Sequence, residues 1–488
     1  MPAPEGDLLD SPDAGGAAIR GGALRVVGYA LGIVLSLGSA AVLFRHLGVE
    51  DGGRYVSVQA LALLAAGITD AGLTIIAVRE YATRSGEERD RILRDLLGLR
   101  LVLTLVGVLV AVAVAAAIGY DSTLVAGTAV TGVAVVFTVL QNAYGVGLQA
   151  QLRLGWVTAA DVLRQAATAV AVVVLVVLDA SLLELFLAAF VGNLVALVFI
   201  ALAARGTMPL RPAFHLRRAI ALLRDTLVYA IATAIGALYF RLAVVLVSLI
   251  ATADETGYFG ASFRGVEALI AVPALLVGTA FPILARAARD DHSRLAYALG
   301  RILDVSLVLG VGVAVALVVG APVVIDVVAG AEFAPAADVL RIHGVGLVAS
   351  FLAAGWGYAA LGLHLHRGVL YANLGALVAC VVLVPTFTAT WGATGAAVAT
   401  ATAEVTLAVG NALIVHRAGV ALTAELRAVP KVLLSAAAAV GVGLSSGFPA
   451  LPGTLVAGVI YLGLVIALRA LPREIQDHLP GPLGTRNA

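Results

Sequence analysis

The stretch YAIATAIGALYFRLAVVLVSLIATADETGY, residues 229–258, holds one arginine, Arg241, and no other charge between Asp225 and Asp254. In water such a run would be a core helix. In a bilayer it is a span, and a permanent charge at its centre needs a reason. Composition decides between the two solvents. Of 488 residues, 61% are hydrophobic and only 12% charged, and mean hydropathy is +1.03. A soluble domain carries about 25% charged residues. Apolar runs of about twenty residues recur along almost the whole chain, the mark of membrane-spanning helices. The sequence therefore predicts an all-α polytopic membrane protein.

Windows of that length give about fourteen spans. The seventh covers 224–251, the eighth 257–285 and the twelfth 393–416. The connecting loops test the count independently. Arg79, Arg84, Arg89, Arg91 and Arg94 fall in one loop, and Arg205, Arg211, Arg217 and Arg218 in another on the same side. The loops between them, such as GYDST, LDASLLE, ATADETG and TFTATWGATG, hold no Arg or Lys. Basic loops stay cytoplasmic on insertion, so both termini are expected inside. The first outer loop, FRHLGVEDGGRY, is the exception, with Arg45 and Arg54.

Further organisation follows from composition and repetition. Residues 1–20 are acidic and rich in Pro and Gly, without the short apolar core of a cleaved signal, and read as a disordered cytoplasmic tail. Charged stretches at 79–100 and 214–225 carry leucine and isoleucine on one stripe, as helices lying in the interface do. LGVEDGGRYVSVQAL and IATADETGYFGASFR each lead from an acidic, Gly-containing outer turn into a tyrosine, Tyr55 and Tyr258. An even number of spans separates them, so the halves share one orientation, which predicts two parallel-related lobes. The expected division is an N-lobe at 21–204, an amphipathic linker at 205–223 and a C-lobe of spans seven to twelve at 224–417. An appended helix pair at 418–470 and a cytoplasmic tail at 471–488 follow.

Charges inside the membrane are the candidate functional residues, because each costs about 2.5–3.5 kcal/mol at a span's centre. By helical rise, Arg241 lies about 16 Å from the outer end of its span, Arg264 about 14 Å, Glu267 about 18 Å and Glu404 about 16 Å. In the first lobe Asn193 reaches a similar depth, Asp70 and Asn142 sit nearer the cytoplasm, and Arg45 and Arg54 stand at the outer mouth. Arg241, Arg264, Glu267, Glu404, Arg45, Arg54, Asp70 and Asn142 form the candidate substrate-binding set. A structural alternative stays open: Arg241 and Glu267 as a buried ion pair, or Arg264 and Glu267 paired on one helix at i,i+3. Small residues share Arg241's face, namely Ala234, Ala237, Val245 and Ser248, as at a cavity wall or a close helix contact.

Other classes find less support. Net charge is +1, which gives no field for nucleic acid. The one cysteine, Cys380, excludes internal disulfides and a cysteine metal cluster. The lone lysine, Lys431, follows RAVP rather than a glycine-rich loop, so no Walker A is present, and HExxH and a nucleophile elbow are absent too. No cofactor is expected and no enzyme chemistry is visible. His364 and His366 fall on different helix faces, Pro273 and Pro282 read as kinks, and Gly28 and Gly32 as a helix-packing GxxxG.

FRHLGVEDGGRYVSVQALALLAAGITDAGLTIIAVREYA (44–82) resembles one family through Arg45, Leu47-Gly48, Gly53, Tyr55, Asp70, Gly72, Arg79 and Glu80. DETGYFGASFRGVEALIAVPALLVGTAFPILAR (254–286) adds Gly257-Tyr258, Ala261, Arg264, Pro273 and Phe281-Pro282. The family is the polysaccharide-transporter branch of the superfamily that holds lipid-linked oligosaccharide flippases and multidrug antiporters. The resemblance implies two six-helix bundles in a V that move by alternating access. It implies a polyprenyl-pyrophosphate-linked glycan as cargo, with membrane lipids and glycosyltransferases or a polymerase of the same pathway as partners. One departure stands out: the family often has an acid shortly after the arginine of the seventh span, where this chain has Ala243. A drug antiporter is the alternative, and such antiporters typically carry an acid in the first span. No Asp or Glu lies between Leu24 and Phe44. A non-transporting membrane assembly partner is a third reading, disfavoured by the internal charges.

Overall fold

A computed structural model describes residues 14–70, 73–151, 153–209, 211–215, 235, 239, 241–290, 292–421 and 428–471. The described residues are helix, turn and short connections, in two compact units, Met1–Arg241 and Leu242–Ala488. Eleven helices among them are long and apolar enough to cross a membrane. Most of the seventh expected span, the hydrophobic part of the 214–225 stretch and the tail after 471 lie outside the described residues, so fourteen remains the sequence's expectation.

The first unit contains α1 (Ala14–Asp70), α2 (Leu73–Thr83), α3 (Gly86–Ala117), α4 (Ser122–Ala150), α5 (Leu154–Val177), the short α6 (Leu182–Leu185) and α7 (Leu187–Ala203). At about 1.5 Å per residue, α1 is far longer than a bilayer needs. Its neighbours show that it is two spans. Gly28 and Gly32 face Thr158 and Gln165 of α5, and Leu43 packs with Val172, so the first half runs with α5. The second half runs with α4, through Val58 near Leu124 and Ala62 near Val135 and Val139. Helix α7 runs with α4, since Gly127 meets Phe186 and Phe137 meets Phe190, but against α5, since Gly192 meets Thr168 while Ala160 shares a cluster with Ile200. The halves of α1 are therefore antiparallel, and the chain reverses at Gly48, whose φ of 69° and ψ of −173° suit glycine alone. The expected eight-residue outer turn contracts to this point, and helix extends back to Ala14 within the expected tail.

The stretch at 86–100 is not a separate interfacial helix. It is the start of the continuous α3, because Leu93, Leu96 and Leu97 find a core to enter and are each 2% exposed. The described part of the expected linker, 205–209 and 211–215, is turn, bend and irregular chain.

The second unit contains α8 (Arg241–Ile250, whose first residue closes the first unit), α9 (Ala253–Asp290), α10 (His292–Val328), α11 (Ala336–Gly362), α12 (His366–Arg417), α13 (Ala428–Ser445) and α14 (Ala450–Ala467). Helices α9 and α11 run together: Ser262 meets His343, Gly278 meets Tyr358 and Gly362 meets Ala285. Helix α10 opposes them, with Leu317 on Gly344 and Leu303 on Gly355. The second half of α12 follows α11 through Gly346 and Ala401, then Ser350 and Glu404. Its first half is antiparallel to the second, with Gly368 on Ile414 and Ala372 on Gly410. The reversal is Gly392, φ 57° and ψ −140°. Each unit thus sets its second, fourth and sixth spans parallel to one another. The appended pair packs on α10, where Tyr461 fits beside Gly312 and its hydroxyl donates to Val308 O at 2.7 Å.

Candidate functional site

Two of the predicted residues meet on α9. Arg264 Nη1 donates to Glu267 Oε2 at 3.1 Å, one turn apart, and both side chains are more than one-third exposed, 40% and 34%. Their spacing places them on one face, and a half-exposed pair this loose contributes little to stability. Glu404 behaves differently. It is 4% exposed, in the seam where Gly346, Ala349, Ala353 and Ala408 let α11 and α12 approach, and Ser350 Oγ donates to its Oε2 at 2.5 Å. The chain pairs a buried carboxylate with a hydroxyl there rather than leaving it unsatisfied.

Arg241 is half-buried at the start of α8, while Ala243, Val244, Val245 and Val247 of the same helix are buried. Ala243, the departure from the family pattern, has no exposed surface at all. Ala234 and Ala237, expected on the arginine's face, lie outside the described residues.

In the first unit the predicted residues spread out. Arg45 is exposed, with Nη1 donating to Ala41 O at 3.4 Å. Arg54 binds two carboxylates, Asp51 at 2.8 Å and Asp121. That clamp ties the turn after Gly48 to the loop before α4 and accounts for a basic residue in a loop expected to be outer. Burial alone would raise the Asp121 pKa, but the Leu124 and Thr123 N–H groups and Arg54 outweigh it and hold the carboxyl below its ordinary value. Asn142 is exposed on α4, on the same side as Thr138 and Gln149. The Asp70 side chain lies outside the described residues. Asn193 is 9% exposed, and its Oδ1 has no hydrogen-bond partner among the described residues.

A polar group absent from the predicted set sits beside these. Gln141 of α4 donates to Asp161 Oδ1 of α5 at 3.0 Å, with Arg164 and Arg25 within electrostatic reach. By spacing alone, Asp161 and Arg164 lie near one another on α5. The contributions of Gln141 and Arg25 depend on which helices become neighbours.

In the same unit, α3 and residues 211–215 enclose a cleft of about 380 Å³ lined by Glu87, Asp90, Arg91, Arg94, Asp95, Ala213 and His215. His215 Nδ1 donates to the buried Asp95 at 2.6 Å, and the Ala213 N–H donates to Arg94 O at 3.0 Å. Gly98 makes room for the Ala213 carbonyl, which a Cβ would meet at 2.0 Å. Among the described residues no three His, Cys, Asp or Glu side chains are grouped to hold a metal ion.

Comparison with known proteins adds three findings. The family model described as "Polysaccharide biosynthesis protein" matches residues 18–288. No curated protein sequence matches. Solved structures do match in fold. One is the lipid II flippase MurJ in an inward closed conformation, with TM-score 0.74, 14% identity, 91% of this chain and 99% of that one covered. Another is a multidrug-resistance MATE transporter of the MOP superfamily, inward-facing, with TM-score 0.63, 15% identity and coverage of 81% and 98%. A third, a MOP superfamily transporter from Pyrococcus furiosus, gives 0.54, 16%, 86% and 99%.

Proposed function

Because the chain belongs to the polysaccharide biosynthesis protein family, we propose that it is a flippase for a polyprenyl-pyrophosphate-linked oligosaccharide. It carries the headgroup from the cytoplasmic to the outer leaflet of the bacterial cytoplasmic membrane by alternating access, with both termini cytoplasmic. Arg241 carries the proposal: a half-buried guanidinium on an apolar helix, at a depth where only a polar passage or a partner makes its insertion tolerable. A pyrophosphate and its sugars need a hydrated cationic path, while the lipid tail stays in the bilayer, and the planar fork of arginine matches phosphate oxygens. Arg264, Arg45 and Asn142 stay in the candidate set as polar groups open to solvent within their own units. Glu267 accepts from Arg264 and orients it, and Glu404 supports the α11–α12 seam behind. Arg54, held between two carboxylates, and Asp70 belong to the set on depth alone.

The fold is shared with multidrug antiporters, so an antiporter is the second reading. The apolar first span, without an acid between Leu24 and Phe44, speaks against it.

The test is a mutant series read for protein level and for flipping. Arg241→Ala should insert and fold, since it removes about 2.5–3.5 kcal/mol of insertion cost. Flipping should fall sharply, and Arg241→Lys should recover part of it, keeping charge without the fork. If Arg241 instead serves as the partner of Glu267, the single variant strands a carboxylate, and Arg241→Ala with Glu267→Gln restores both quantities. Full flipping by that double variant rules out the substrate role.

A further inference from the structure

The cleft between α3 and residues 211–215 lies at the arginine-rich start of α3. Its charges are unevenly matched. Asp95 is taken by His215 at 2.6 Å, and Asp90 has Arg89 beside it at 3.4 Å. Among the described residues that leaves Arg91 and Arg94 exposed and without an ion pair, against a single unpaired carboxylate, Glu87. The wall opposite the arginines is fixed by three contacts: Gly98 against the Ala213 carbonyl, Ala213 N–H to Arg94 O, and His215 to Asp95. Residues 93, 96 and 97 of the same helix are buried apolar side chains, so the cleft stands where α3 passes from charged to apolar sequence, the level of lipid headgroups.

We propose that this cleft binds a phosphate-bearing headgroup, with Arg91 and Arg94 as its two forks. Two guanidinium groups a turn apart on one face present paired N–H donors to phosphate oxygens. Juxtamembrane arginines also draw anionic lipid by long-range attraction. Glu87 sets the limit on affinity by repelling the same anion, and the docked 211–215 segment gives the cleft its depth. The source of the phosphate is a bilayer phospholipid or free phosphate, and the proposal stands whether or not the chain flips glycans.

The experiment uses the purified full chain in a neutral detergent. Its thermal unfolding midpoint and the amide exchange of 86–98 and 211–215 are followed against dihexanoyl phosphatidylglycerol, dihexanoyl phosphatidylcholine and inorganic phosphate. A saturable rise in midpoint and slowed exchange of both segments are expected with phosphatidylglycerol. Arg91→Ala with Arg94→Ala should weaken that response roughly thirtyfold, the combined effect of two basic groups near an anionic headgroup. Both side chains are exposed, so the variant should fold, and Glu87→Gln should tighten binding. An equal response to inorganic phosphate assigns the site to free phosphate. No saturable response to any probe, an equal one to phosphatidylcholine, or one unchanged in the double arginine variant overturns the proposal.

Discussion

Asp121 shows how single residues are used twice. Its Oδ1 accepts from the Leu124 N–H at 2.9 Å, capping α4, and its Oδ2 meets Arg54. Asp121→Ala should cost about 1 kcal/mol as a lost cap, read as a lower unfolding midpoint at neutral pH. The sign with pH follows from the depressed carboxyl. Its contribution is present above the ordinary value of 3.8 and is lost as pH falls through the lower folded value, so wild type and variant converge only in acid. Gly392 is similarly specific. A Cβ there would stand 2.6 Å from Glu255 Oε2, whose carboxylate caps the second half of α12 by accepting from the Ala393 N–H at 2.6 Å. Gly392→Ala should destabilise by about 1–3 kcal/mol from the positive-φ backbone alone, and an unchanged midpoint would refute this. Pairings like these could be read from the sequence only when local. Arg264 and Glu267 share a face by spacing, whereas Arg54–Asp121 and Ser350–Glu404 join residues far apart in the chain.

Among elements, hydropathy located the spans because the bilayer imposes one length on all of them, and the loop charges gave their alternation. What it could not locate was the sharpness of the reversals. Gly48 and Gly392 look like any glycine in a composition window, and only the backbone shows that each turns the chain within a continuous run of helix. The amphipathic start of α3 misled for a related reason: a leucine stripe is the same whether it meets lipid headgroups or a protein core. The appended pair was legible as two spans but not as packed against α10. Tyr461→Phe removes a buried hydrogen bond to Val308 O and should cost about 1 kcal/mol. A variant as stable as wild type would mean that packing beside Gly312 alone holds the pair.

For the whole molecule, lobe repetition and the charges within spans carried most of the functional argument, and the family match agrees with the motif resemblance. The geometry then separated the predicted set into a half-exposed pair on α9, a seam carboxylate and the Arg54 clamp, differences that depth alone could not draw. Orientation is open to a direct check. A tag after Ala488 should stay unlabelled by an impermeant reagent added outside intact cells, and labelling there would invert the topology. The central claim is cargo. Lipid extracts and leaflet labelling of cells lacking this chain should show a pyrophosphate-linked glycan accumulating in the inner leaflet. Wild-type chain should clear it, and Arg241→Ala at equal abundance should not. Unchanged glycan export, accompanied by greater sensitivity to cationic drugs, would contradict the account and point to an antiporter.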